Sequence, residues 1–101
     1  MSVIELAAEI TEDFQRILDH LDVYQVINPG LRIQEIIEAI NVLVHNPLIG
    51  RPTTTDKREL VIGRFSHGYV ALYRYVPAID TVFILAIRNQ HQAGYTKRNL
   101  P

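Results

Sequence analysis

The side chains available for chemistry in this sequence are few in kind. There is no cysteine, which excludes both a disulfide framework and a thiolate metal site. His20, His45 and His67 are scattered without ligand spacing, so neither a metal nor any other cofactor is expected. His91 stands near the C-terminus, where an imidazole titrating near neutrality can take or give a proton. Arginine is the recurrent candidate. Arg64, Arg74 and Arg88 fall in β-patterned stretches, and a guanidinium can grip phosphate through two hydrogen bonds. Their plainer role is to end strands and pair with Glu59, Asp80 or helical acids. Tyr69, Tyr73 and Tyr75 share one strand face and read as core or rim packing rather than as a platform for stacking bases.

The net charge of −1 conceals two opposite halves. Residues 1–50 hold two basic side chains (Arg16, Arg32) against eight acidic ones, a balance of −6. Residues 51–101 hold eight basic side chains against three acidic ones, a balance of +5. The second half can therefore present a positive face although the whole chain is nearly neutral. At 101 residues and 48% apolar composition, one compact domain over 1–101 with a single core is expected. Apolar runs stay far below the roughly 20 residues that span a bilayer, so no membrane association is expected. Met1 to Glu5 lacks a basic-then-apolar leader, and a cytoplasmic protein is the expectation.

Period and punctuation supply the elements that must position these groups. Val3 to Leu6 is a short apolar run that can open the fold as a strand, with Ala7 and Ala8 suiting either its end or a helix start. Ile10, Phe14, Ile17, Leu18 and Leu21 recur at helical spacing. Asn28-Pro29-Gly30 interrupts them and begins a second helix, with Asn28 as cap and Pro29 at the first position. Its stripe is Ile33, Ile36, Ile37, Ile40, Leu43 and Val44, ending at Asn46-Pro47. Two helices so joined read as an antiparallel hairpin.

Residues 47–56 read as a loop. From Arg58 the period becomes two, with Leu60, Ile62 and Arg64 on one face of a strand and Val61, Gly63 and Phe65 on the other. Ser66-His67-Gly68 is a tight-turn signal, Val70, Leu72 and Arg74 alternate with the tyrosine face, and residues 77–80 turn into a last strand over 81–88. By alternation, Arg64 and Arg74 lie at opposite ends of antiparallel strands, whereas Arg64 and Arg88 can share an end. The fold class is α+β: an N-terminal strand, then a helical hairpin packed on a curved antiparallel sheet, in the order β-α-α-β-β-β.

That order, and four collinear segments, resemble the RelE/ParE toxins of type II toxin–antitoxin systems, and within them the ParE-like branch. The segments are residues 46–52 (NPLIGRP), 58–63 (RELVIG), 69–75 (YVALYRY), and 84–88 (ILAIR) running on to Ala93-Gly94-Tyr95. The resemblance covers nearly the whole chain. ParE-like sequences commonly run Arg-His-Gln-Arg-Glu-Ala-Gly-Tyr after the last strand; here Asn89, His91 and Gln92 stand where that pattern has His, Arg and Glu.

The resemblance implies a plasmid-stabilising toxin with one of two activities. A ParE-like toxin is a binding protein that inhibits DNA gyrase by trapping its cleaved-DNA state. Its target contacts are expected among Arg64, Arg88, His91, Tyr95, Lys97 and Arg98. A RelE-like toxin is an endoribonuclease that cuts mRNA in the ribosome, where a ribose 2′-OH attacks the adjacent phosphate and a base, an acid and cations are needed. For that activity Glu59 or His91 would be the base, Arg74 and Arg88 would hold phosphate, and Tyr95 would assist the leaving group. Only Lys57 and Lys97 supply lysine, a thin set for RelE-like chemistry. The altered 89–92 stretch leaves a third reading, an inactive relative kept as a binding or regulatory module. The family also implies a ParD-like antitoxin partner and a toxin–antitoxin hetero-oligomer. Its C-terminal segment would lie in an apolar groove on the helical hairpin, with Phe14, Leu18, Leu21, Tyr24 and Ile27 as contacts.

Overall fold

The computed structural model describes residues 1–23, 29–63 and 68–90, without the side chains at 21–23 and 29. Strand β1 is Val3–Leu6, followed by helices α1, Ile10–Val23, and α2, Pro29–Asn41. A 3-10 turn, Val42–Val44, leads to β2, Arg51–Pro52, and β3, Arg58–Ile62. Strand β4, Tyr69–Val76, a second 3-10 turn at Pro77–Ile79, and β5, Thr81–Asn89, complete the order. The hairpin expected across 66–68, the cap at Asn28, and Arg64 with Phe65 lie outside the described residues.

The expected α+β class holds, with two differences in the sheet. Among the described residues it has five strands in the order β1-β5-β4-β3-β2, and it is mixed rather than antiparallel. β1 runs parallel to β5, Val3 opposite Thr81 and Leu6 opposite Ile84. The reason is topological: the first strand takes the free edge of the last, a pairing that local period cannot show. The second difference is β2, placed within the expected loop, with Arg51 opposite Glu59 and Pro52 opposite Arg58. Proline has no N–H for a ladder, and an edge strand is where a sheet tolerates that.

The core lies between the helices and one sheet face. Ile10 and Ile17 of α1 and Ile36 and Ile40 of α2 meet Ile62, Tyr69, Ala71, Tyr73, Val82, Ile84 and Ile87. The tyrosine face of β4 is thus core packing. The second helical stripe is shorter than its period suggested: α2 ends at Asn41, Leu43 is buried from the 3-10 turn, and Ile37 is 44% exposed. On β4 the alternation does not separate buried from open, since Val70 and Leu72 are as buried as their neighbours. Between Leu72 and Tyr73 the register slips by one, making Leu85 the extra residue of a bulge on β5.

Candidate functional site

Register assigns Glu59, Arg74 and Arg88 to the outer face of the sheet, away from the helices, whereas Arg58 stands opposite Tyr73 on the inner face and donates to the Gly50 carbonyl. Val61, Val70 and Arg88 form one cross-strand row, and Glu59, Leu72 and Ala86 form the next. Glu59 thus stands one row from Arg88, across β4. Its carboxylate lies 3.8 Å from the Arg88 guanidinium and 3.4 Å from that of Arg51. Both Glu59 and Arg88 are largely covered, with side chains 18% and 15% exposed, so their attraction is screened less than that of an open surface pair. Arg88 also donates to the carbonyl of Asn89.

A second cluster sits further along the face. Asp56 lies 3.2 Å from Lys57 and 3.5 Å from Arg74. The Lys57 ammonium, bonded to the Asp56 carboxylate, holds that carboxyl below its ordinary value, helped by the Arg74 charge. Arg74 also lies over the Phe83 ring, 5.9 Å from its centroid. Arg74 pairs with Phe83 and Arg88 with Val70, so the two arginines are five positions apart along β5, or roughly 16 Å at strand rise. Of the RNase candidates, the fold brings Glu59 and Arg88 together and keeps Arg74 apart from them. His91 and Tyr95 lie outside the described residues, as do the expected target contacts Arg64, Lys97 and Arg98.

On the opposite side, Ile4 and Leu6 of β1, Phe14 of α1, and Ile37, Ile40 and Asn41 of α2 line an open apolar groove of about 210 Å³. Leu6 is 53% exposed. Of the expected antitoxin contacts, Phe14 lines this groove, and Leu18 is half-buried one turn further along α1. The Leu21 side chain, Tyr24 and Ile27 are outside the described residues. Period analysis missed Ile4, Leu6 and Ile37. The available signal was the width of the α2 stripe, since Ile33, Ile36, Ile37 and Ile40 form more apolar face than one core contact needs.

Polar side chains hold these two surfaces in place. Asp13 is fully buried on α1, where it accepts the Ile87 N–H at 2.9 Å and receives the Arg16 guanidinium at 3.0 Å. Arg16 in turn donates to the Ile87 carbonyl at 2.9 Å. β1 stops opposite Ile84, so these two side chains serve the edge of β5 that β1 leaves uncovered. The signal was an acid three residues after Ile10, on the apolar side of the helix. At the other end of β1, Asp80 accepts hydrogen bonds from Ser2 Oγ at 2.6 Å and Tyr75 Oη at 2.8 Å. Those two bonds, Ser2 first, hold its carboxyl below the ordinary value. Of the acids expected to serve the strand arginines, Glu59 pairs with Arg88, while Asp80 is taken by Ser2 and Tyr75 and Asp56 serves Arg74.

No described helix is long and apolar enough to cross a membrane. Among the described residues, no group of three His, Asp or Glu side chains could hold a metal ion.

Comparison with known proteins bears on what these surfaces do. Residues 5–94 match the family described as the ParE toxin of the type II toxin–antitoxin system parDE. No curated protein matches the sequence. Among solved structures, the chain is similar to one from the chromosomal ParDE toxin–antitoxin system of P. aeruginosa. The identity is 26% and the TM-score 0.69, over 88% of this chain and 96% of that one. It also shares its fold with a chain of the intact E. coli RelBE toxin–antitoxin complex, at 12% identity and TM-score 0.63, covering 91% of this chain and 100% of that one. The RelBE2 toxin–antitoxin complex of Mycobacterium tuberculosis gives 18% identity and TM-score 0.60, with 88% and 98% covered.

Proposed function

Since the chain belongs to the ParE toxin family of type II toxin–antitoxin systems, we propose that it acts as a binding protein that poisons DNA gyrase and is neutralised by a ParD-like antitoxin. The observation that carries this reading is the family match over 5–94, of a ParE toxin rather than a RelE one. The outer sheet face adds physical support. Arg74 and Arg88 stand too far apart to hold one phosphate, and Glu59 is already engaged by Arg51 and Arg88. A general base needs an accessible lone pair and a nearby acid, which the described residues of this face do not assemble. Target contacts then fall to Arg88, to His91, Tyr95, Lys97 and Arg98, which follow it in sequence, and to Arg64. The antitoxin occupies the helical side, where Phe14 and Leu18 are joined by Leu6 and Ile37. The complex is a hetero-oligomer working in the cytoplasm, where gyrase meets DNA, and its biological effect is plasmid stabilisation.

The test is a gyrase reaction on supercoiled plasmid with the purified, folded chain. Protein-linked linear DNA should accumulate. One observation favours a second reading: Glu59 and Arg88 do converge, as an acid–base and phosphate-holding pair of an mRNA endonuclease would. If no linear DNA forms, ribosome-dependent cleavage of mRNA becomes the leading activity, and Glu59 and Arg88 the first residues to substitute.

A further inference from the structure

The point where the chain leaves β5 is held by more than the strand ladder. Asn89 pairs with Tyr69, and one step further the Gln90 N–H still donates to the Gly68 carbonyl at 3.0 Å. The Arg88 guanidinium donates to the carbonyls of Asn89, at 3.2 Å, and of Gln90, at 3.5 Å. The Gln90 side chain lies against Gly68: a β-carbon there would stand 3.1 Å from its Cγ and would overlap its carboxamide. Gly68 is buried and Gln90 half-buried. Backbone conformation does not account for this glycine, since Gly63 is the described glycine with a positive φ, 78°. What position 68 requires is the absence of its own side chain, so that another can lie there.

From this seat we infer that Gln90, resting on Gly68, is a positioning residue for the target-binding end of the chain. Four of the expected target contacts, His91, Tyr95, Lys97 and Arg98, follow it in sequence, so the direction in which they leave the sheet is set at residue 90. The backbone bonds fix where Gln90 stands. Its side chain fixes how the Cα is turned, because the bond to Cβ and the bond onward to residue 91 start from groups on that one carbon. A segment whose first bonds are already fixed loses less freedom on meeting its target, and such preorganisation is read out as affinity. The inference rests on the gyrase reading for its target, and it names a residue that aims the contacts rather than one that makes them.

The experiment compares Gly68→Ala, Gln90→Ala, their double variant and Gln90→Met with the parent chain. Growth inhibition on induced expression, linear DNA in the gyrase reaction and urea unfolding are measured for each. The group that Gly68→Ala displaces is the far end of a flexible side chain, so that change unseats Gln90 with the unfolding midpoint nearly unchanged. Each alanine variant should lose about tenfold in both activities. The double variant should lose no more than Gln90→Ala alone, since both changes undo one contact. Gln90→Met keeps a side chain of the same length on Gly68 and should keep most of the activity, whereas a residue that touched gyrase through its carboxamide would lose it. Alanine variants as active as the parent, losses that multiply in the double variant, an inactive Gln90→Met, or a midpoint that falls in step with activity would each overturn the inference. A parent chain that stops growth without linear DNA refutes gyrase as the target, and the same comparison of growth inhibition then decides the positioning role. A parent chain that does neither removes both.

Discussion

At Gly50 a β-carbon would lie 2.6 Å from the Tyr73 ring and hydroxyl and 2.9 Å from the Glu59 carbonyl oxygen. The same hydroxyl accepts the Gly50 N–H at 2.8 Å in the interior, and burial raises the phenol above its ordinary pKa. Both partners of that bond are fixed, so neither a methyl group nor a lost acceptor is absorbed cheaply. Gly50→Ala should lower stability by about 1–3 kcal/mol through overpacking, and Tyr73→Phe by about 1 kcal/mol through the orphaned amide. Urea unfolding checks both, and an unchanged midpoint for Gly50→Ala would show that the 48–50 segment moves freely. Asp13 is more demanding. Asp13→Ala leaves the Ile87 N–H and part of the Arg16 charge without their partner, at a cost of about 3 kcal/mol, whereas Arg16→Ala, at a partly open site, should cost less. The reverse order in thermal unfolding would assign the joint to the arginine.

At the scale of elements, β1 is tied at its start by the Ser2–Asp80 bond, and beyond its finish the Asp13–Arg16 pair takes over the edge of β5 at Ile87. The Asp80 carboxyl is held below 3.8 in the fold by Ser2 and Tyr75. A depressed folded value means that this stabilisation is complete above 3.8 and is lost as pH falls through the lowered folded value. Asp80→Asn should therefore flatten the acid limb of a stability–pH curve while changing its neutral plateau only modestly. An identical acid limb in parent and variant would move the acid sensitivity to other carboxylates, Asp56 first, since Lys57 and Arg74 depress it too. This joint also marks how far the sequence was readable. The helices and the three long strands followed from period and from Pro and Gly punctuation, because those signals are local. The parallel β1–β5 pair, β2 and the bulge at Leu85 did not follow, because each is decided by a partner distant in sequence. Of the site, Phe14 and the Glu59–Arg88 pair could be anticipated, the pair because Glu59 is one of the few acids near the strand arginines. Leu6 could not, because its exposure appears only once the core is filled, and for Ile37 the width of the α2 stripe was the one signal.

Over the whole molecule, the halves of opposite charge become two opposite sides. The helices carry Glu12, Asp19 and Glu38, and the outer sheet face carries Arg51, Lys57, Arg74 and Arg88 around Asp56 and Glu59, with Glu5 of β1 in the row of Phe83 and Arg74. Two partners of opposite sign can then be steered to opposite sides without competing for one surface. Ending the chain after Gln90 keeps β5 whole and removes His91, Tyr95, Lys97 and Arg98. If these residues contact gyrase, the shortened chain should lose linear-DNA formation and growth inhibition yet still bind its antitoxin. Retained toxicity would shift the target contact to the sheet face.

The pairing of the first strand with the last has a consequence in time. During synthesis β1 leaves the ribosome at the outset, but the strand it must join is residues 81–89, at the far end of the chain. Until then β1 has no edge to dock on, and Asp13 and Arg16 have no Ile87 to hold. Sheet closure awaits the synthesis of residues 81–89, and contacts between segments so distant in sequence form slowly. A chain whose β5 is not yet made therefore has neither the closed sheet nor the Asp13–Ile87 joint, so every surface built on them comes into being late and together.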